Sequence, residues 1–258
     1  MIRHISKNVI WLIVAVVLVA FVWSCFAVEF DFEKLWAGRQ FMADYLTRMW
    51  PPNFAIFTKV WSETLVTIQL AFVSTIIAAV ISLPFAFLGA SNVMRTGFEK
   101  IILSITRFSL NANRAIDSLI LAMFFVSAVG LGPFAGVMAL AIHSVGMLGK
   151  LFFEAVEGVD KGPIEALEAS GASRLQVLRW AIIPQVLPAF IGFSMYRFEL
   201  NIRAAVVLGV VGAGGIGFLL TEYMRLFQSQ NVAVVLLTIL ILVMSIDYVS
   251  NWARKKLF

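Results

Sequence analysis

Arg197, Glu199, Asn201 and Arg203 stand close together in a stretch of the chain that is otherwise apolar. A guanidinium carries its donors in a planar fork that fits two oxygens of an oxyanion at once, which makes an arginine in such surroundings a candidate anion ligand. Glu199 precedes Arg203 by four residues, the orientation that favours an ion pair along a helix. At about 100° per residue the two arginines sit roughly 120° apart on a helical wheel, so one face cannot hold the whole set. Two readings stand side by side: a structural network of ion pairs, or a lining that offers Arg197 or Arg203 to an anionic solute. His143, in another apolar run, is a switchable donor on the second reading and a helix-packing hydrogen bonder on the plainer one.

Other chemistries lack the residues they need. The histidines are His4 and His143 and the one cysteine is Cys25, so neither a metal cluster nor a nucleophile triad is expected, and no catalytic residue is assigned. Gly212-Ala213-Gly214-Gly215-Ile216-Gly217 satisfies the spacing G-x-G-x-x-G. A dinucleotide site needs a preceding strand in a βαβ unit, however, and here a long apolar run comes first. Gly212, Gly214, Gly215 and Gly217 read instead as positions of positive φ and close backbone approach, where a helix breaks. Gly149-Lys150 is followed by Leu151 and lacks the spaced glycine of a phosphate loop.

The elements that must hold these residues are membrane helices. Of 258 residues, 61% are hydrophobic and 14% charged, and the mean hydropathy is +0.93; a water-soluble domain of this size could not bury that surface. The expected fold is all-α and polytopic, with about six transmembrane helices near 9–28, 65–90, 116–131, 134–151, 187–211 and 232–248. The run at 9–28 exceeds the apolar core of a signal peptide and ends without a small-x-small site, so it is kept as a span. Pro84 is expected to kink the end of the second span, and Gly130-Leu131-Gly132-Pro133 to turn the chain between the third and fourth. Residues 1–60 make up the first span and an outer, amphipathic segment; residues 61–258 form the main transmembrane domain.

Charge placement sets the topology. With both ends inside, the inner segments hold Arg3, Lys7, Arg95, Lys100, Arg107, Arg114, Lys150, Lys161, Arg174, Arg179, Arg254, Lys255 and Lys256, against Lys34, Arg39, Arg48, Lys59 and Arg225 outside. An N-in/C-in arrangement places the excess of cations inside. The net charge of +5 reflects that bias and anionic lipid, and is no argument for nucleic acid. Arg114 and Asp117, three apart at the inner end of the third span, are expected to pair.

The inner loop over about 154–188 has its own pattern. Lys161-Gly162-Pro163 stops the chain and Pro163 suits a helix start; Ile164, Leu167 and Ala169 then alternate with Glu165, Glu168 and Arg174 up to Gly171. Pro184 and Pro188 flank the return to the bilayer. A short rigid helix between spans can pass a push from a soluble partner into the membrane; the plainer reading is an interfacial helix with no partner.

This stretch resembles the cytoplasmic signature of ABC importer permeases: Glu-Ala-Ala, three residues, Gly, nine residues, then Ile-x-Leu-Pro. Glu165-Ala166, Gly171 and Pro184 match, while Leu167, Ala181 and Ile183 are apolar exchanges. Three further stretches, 125–136, 196–203 and 211–217, are similar to the permeases of bacterial phosphonate importers, a likeness that covers roughly residues 60–255.

The resemblance implies a type I importer permease fold, multi-pass in the bacterial inner membrane and homodimeric. It implies two cytoplasmic ATP-binding subunits docking at Glu165, Ala166, Glu168, Gly171 and Pro184, and a periplasmic phosphonate-binding protein outside. It makes Gly212, Gly214, Gly215 and Gly217 an outer gate, and on the anion-lining reading of the residues themselves Arg197, Glu199, Asn201, Arg203 and His143 are the candidate cargo pathway. No cofactor is expected in this chain, ATP and Mg being bound by the partner ATPase. The alternatives are an ABC permease for another small solute, such as an amino acid, and an ion-driven secondary transporter. The latter would want a titratable mid-membrane carboxylate and repeated halves.

Overall fold

The computed structural model describes residues 7–257; Arg3 and His4 lie outside them, as do the side chains of Lys7, Lys255 and Lys256. Every regular element is a helix, and no strand occurs among the described residues. The chain divides into two compact units, Met1–Trp50 and Pro51–Phe258.

The first unit holds α1 (Lys7–Ala27) and α2 (Phe32–Arg48). The large apolar side chains of α1 from Trp11 to Phe26 are exposed, a state stable only in lipid or against another protein surface. Asp31 caps α2 by accepting from the backbone N–H groups of Glu33 and Lys34. Glu29 turns the chain with φ +50°, and the axes over Trp11–Ala27 and Phe32–Arg48 differ by 58°.

The second unit runs through α3 (Phe57–Leu88), α4 (Gly97–Ala115), α5 (Ser118–Val129), α6 (Pro133–Glu157), α7 (Gly162–Ala169) and α8 (Arg174–Val177). A π turn over Leu178–Ile182 joins α8 to α9 (Ile183–Val210), and α10 (Gly215–Arg225) and α11 (Ser229–Leu257) follow. Its centre is α3 packed along α6, with α9 against both; α4 and α5 flank α6, while α10 and α11 cover α3 and α9.

Small residues make that centre possible. Ala71, Ser74, Ala78, Ser82 and Ala86 of α3 are buried at spacings of three and four, and Gly136, Ala139, Gly146 and Gly149 of α6 at spacings of three and seven. A Cβ on Gly149 would stand 2.7 Å from Leu110 Cδ2, so α4 lies directly on α6. In lipid, close approach of this kind supplies the dispersion energy that replaces a hydrophobic drive between helices. Larger groups fill the end nearest α7, where Phe152 stacks on Phe190 with ring centroids 4.1 Å apart.

Four helical stretches are long and apolar enough to cross a membrane: Phe54–Leu88, Pro133–Glu157, Arg174–Arg225 and Ser229–Arg254; the count reaches six if each bent pair is one span. The expected span at 116–131 is where the structure differs most. There α5 has 12 residues, about 18 Å at 1.5 Å per residue, well short of a hydrocarbon core of about 30 Å. It is joined at 83° to α4, an amphipathic helix whose exposed Phe98, Ile101, Ile105 and Phe108 form one stripe. Charges interleaved with that stripe keep it from reading as an apolar run. Asp117 does not pair with Arg114; it caps α5, accepting from the Leu119 N–H at 2.7 Å. Pro84 lies inside α3, which runs on to Leu88.

Candidate functional site

Arg197 and Glu199 are the charged side chains buried among the described residues, and their settings are opposite. Glu199 accepts from Arg203 at 3.0 Å and from Arg254 of α11 at 3.1 Å. Arg203 in turn lies 2.6 Å from Asp247, also on α11. Two acids and two arginines thus tie α9 to α11 and cancel one another. The sequence showed the Glu199–Arg203 half of this network, whereas Asp247 and Arg254 were missed as its other members.

Arg197 has a different shell. Its Nε donates to Ser144 Oγ at 2.8 Å, and Nη1 reaches Met147 Sδ at 3.1 Å. Ser144 donates to Asn201 Oδ1 at 3.1 Å, Asn201 Nδ2 donates to Thr75 Oγ1 at 2.9 Å, and Thr75 donates to the Ala71 carbonyl at 2.7 Å. This relay crosses α9, α6 and α3. Among the described residues the ion pairs on α9 belong to Arg203 and Glu199 and none reaches Arg197. A centrally placed arginine costs about 2.5–3.5 kcal/mol on insertion scales, so an uncompensated one points to a use for the charge.

His143 precedes Ser144 on α6 and its Nδ1 stands 3.0 Å from the Ile116 carbonyl. That carbonyl can only accept, so Nδ1 carries the proton and the ring pins the α4–α5 corner to α6. An apolar groove of about 370 Å³ between α3 and α9 is lined by Phe72, Phe152, Phe190 and Phe198 and does not include Arg197; it suits acyl chains, not an anion.

At the far end of α9 the glycine run reverses the chain. Gly212, Gly214 and Gly215 have φ of +96°, +78° and +73°, which side chains with a Cβ adopt only under strain. Gly217 lies within α10, where a Cβ would overlap the Val206 carbonyl oxygen, and a Cβ on Gly209 would stand 2.6 Å from the Phe218 nitrogen. The loop is held inside its own chain: Gly132 N–H donates to Gly212 O and Ile216 N–H to Thr67 Oγ1, each at 2.9 Å. A depression of about 660 Å³ lined by Leu131, Gly212, Phe218 and Glu222 adjoins it.

Beyond the start of α9 lies α7. Pro163 occupies its first turn and Ile164 is buried. Glu165, Ala166, Glu168 and Ala169 are exposed. Gly171, φ +81°, ends it: Ala172 N–H donates to Leu167 O and Gly171 N–H to Glu168 O, each at 3.0 Å, the paired bonds of a left-handed helix stop. Pro184 stands in the first turn of α9, and lacking an N–H it cannot close the α-helical bond that the π turn replaces.

Sequence reasoning missed what holds α7. Arg95 lies 3.1 Å from Glu168 and Arg174 lies 2.8 Å from Glu99. Asn92 Nδ2 donates to the Val156 carbonyl at 2.6 Å, and Arg107 and Ser91 both meet Glu157. One signal was legible: Thr96 and Glu99 form a capping box that marks the start of α4. Among the described residues no group of three His, Cys, Asp or Glu is placed to hold a metal ion.

The lineage of this bundle is shown by its sequence. Residues 82–257 match the family described as "Binding-protein-dependent transport system inner membrane component". The chain belongs to that family. It is 36% identical, over 98% of its length and 86% of the relative's, to the putative phosphite transport system permease protein HtxC of Stutzerimonas stutzeri. It is 43% identical, over 87% and 81% respectively, to the phosphite transport system permease protein PtxC of the same organism. In fold it matches a chain from the inward-facing MetNI methionine ABC transporter with a TM-score of 0.68, at 21% identity over 80% of this chain and 99% of that one. The fold is thus that of a type I ABC importer permease, and the protein is an integral membrane permease subunit.

Proposed function

We propose that two copies of this chain form the pathway of an ATP-driven importer for phosphonate or related phosphorus oxyanions in the bacterial inner membrane. Both termini lie inside, two ATP-binding subunits dock on the exposed face of α7 around Glu165, Ala166 and Glu168, and a phosphonate-binding protein delivers cargo from outside. ATP and Mg are bound by those ATPase subunits. Gly171 and Pro184 set the ends of the moving segment, and the loop from Gly212 to Gly217 closes the outer side.

The observation that carries the cargo reading is Arg197: a buried cation with no carboxylate partner among the described residues, in a permease whose relatives bear phosphite and phosphonate names. Arg203 is neutralised by Asp247 and Glu199, so it offers an anion much less. Asn201 acts through Ser144 on Arg197, and His143 supports the same helix surface. An amino-acid cargo rests on likeness to methionine permeases, which is weaker in identity, 31% over 61% of the chain.

The test is uptake into vesicles containing the chain with its ATPase and receptor. Labelled phosphonate should enter only with ATP, and Arg197→Ala should slow entry by roughly tenfold to a hundredfold, the worth of a charged hydrogen bond of about 1.5–3 kcal/mol. Uptake without ATP, or uptake untouched in Arg197→Ala, would overturn the reading.

A further inference from the structure

We infer that Met147 tunes the affinity of Arg197 for its anion, the thioether standing in for the cargo oxygen until cargo arrives. The inference rests on the oxyanion reading above and concerns a residue which that reading does not use. The relay from Arg197 is directional. Thr75 gives its proton to the Ala71 carbonyl, Asn201 gives an amide proton to Thr75, and Ser144 gives its proton to Asn201. Ser144 Oγ is therefore left to accept, and what it accepts is the Nε–H of Arg197. That bond fixes the plane of the guanidinium and leaves its terminal nitrogens to other partners.

The partner at Nη1 is the Met147 sulfur at 3.1 Å. A thioether is a weak, uncharged acceptor on a flexible stem. It holds the fork in position yet competes poorly with a phosphorus oxyanion, whose charged oxygens make hydrogen bonds about twice as strong as neutral ones. A neutral oxygen acceptor in its place would compete better with cargo, and a carboxylate would neutralise Arg197 as Glu199 neutralises Arg203. An aliphatic residue would leave Nη1 bare and make the site grip its cargo harder. The sulfur lies between these extremes, which suits a pathway that must bind and then let go.

The experiment uses the chain–ATPase complex in nanodiscs without receptor, with methylphosphonate as the probe and its dissociation constant read by equilibrium dialysis. Met147→Gln should weaken binding roughly tenfold, about 1.4 kcal/mol, and Met147→Leu should tighten it several-fold while slowing ATP-driven uptake. A merely structural role would move both variants in the same direction, so parallel shifts, or no shift in either, overturn the inference. Because both replacements are uncharged and near methionine in size, assembly with the ATPase is expected in each; loss of assembly in both would equally assign Met147 to packing. If the unsubstituted complex binds no methylphosphonate and carries none, the cargo reading itself falls. Binding that survives unchanged in Met147→Gln removes Met147 alone.

Discussion

Arg197 and Arg203 sit on one helix and carry their charges in opposite ways, and the difference is measurable as stability. Glu199 is 8% exposed and lies between Arg203 and Arg254. Replacing it by Gln leaves Arg203 with Asp247 alone and takes the carboxylate from Arg254, and loss of hydrogen bonds to a charged group costs about 1.5–3 kcal/mol. Among the described residues the ion pair of Asp247 is with Arg203, whose side chain is 45% exposed, and an exposed pair contributes about 0.2–1 kcal/mol. Thermal unfolding of the solubilised chain should therefore drop steeply for Glu199→Gln and slightly for Asp247→Asn. The reverse order would show that Asp247, and not Glu199, is the keystone of the α9–α11 contact.

At the scale of elements, what the sequence made legible is what is local. The i,i+4 pair of Glu199 and Arg203, the Pro163 start and Gly171 stop of α7, and the glycine break after α9 all follow from neighbouring residues and were read from them. Partners far apart in sequence were invisible: Asn201 finds Thr75 across 126 positions and Arg203 finds Asp247 across 44. Nothing in either segment marks the other. The short α5 and amphipathic α4 were blurred for another reason, since a window tuned to unbroken apolar runs misses a stripe interleaved with charge. The α9–α10 hairpin gives the clearest elemental prediction. Gly217→Ala drives a methyl into the Val206 carbonyl, a backbone atom that cannot swing aside, whereas a Cβ on Gly158 would meet its nearest atom at an ordinary 3.5 Å. Gly217→Ala should lower the melting temperature and impair uptake; Gly158→Ala should do neither, and equal effects would refute the close crossing.

For the whole molecule, the proposed docking of ATPase subunits on α7 raises the question of how a push on that helix would travel. Its buried Ile164 meets the hydrophobic core that also holds Val156, Val177, Ile182 and Phe190, so α6, the π turn and α9 feel its position directly. Its rim is tied to the turn ahead of α4 through Arg95–Glu168 and, one element on, to α4 itself through Arg174–Glu99. Arg95 and Glu168 are 55% and 45% exposed in their side chains, which keeps the pair weak and easily remade. A weak link at a rim can set orientation without holding the fold together. Glu168→Arg, facing Arg95, should then leave thermal stability almost unchanged while ATP hydrolysis by the assembled complex continues with several-fold less uptake per ATP. Joining it with Arg95→Glu restores opposite charges across the same gap and should restore uptake per ATP. If the double exchange is no better than Glu168→Arg alone, the link plays no part in transmission, and motion reaches the membrane through the apolar contacts of Ile164 only.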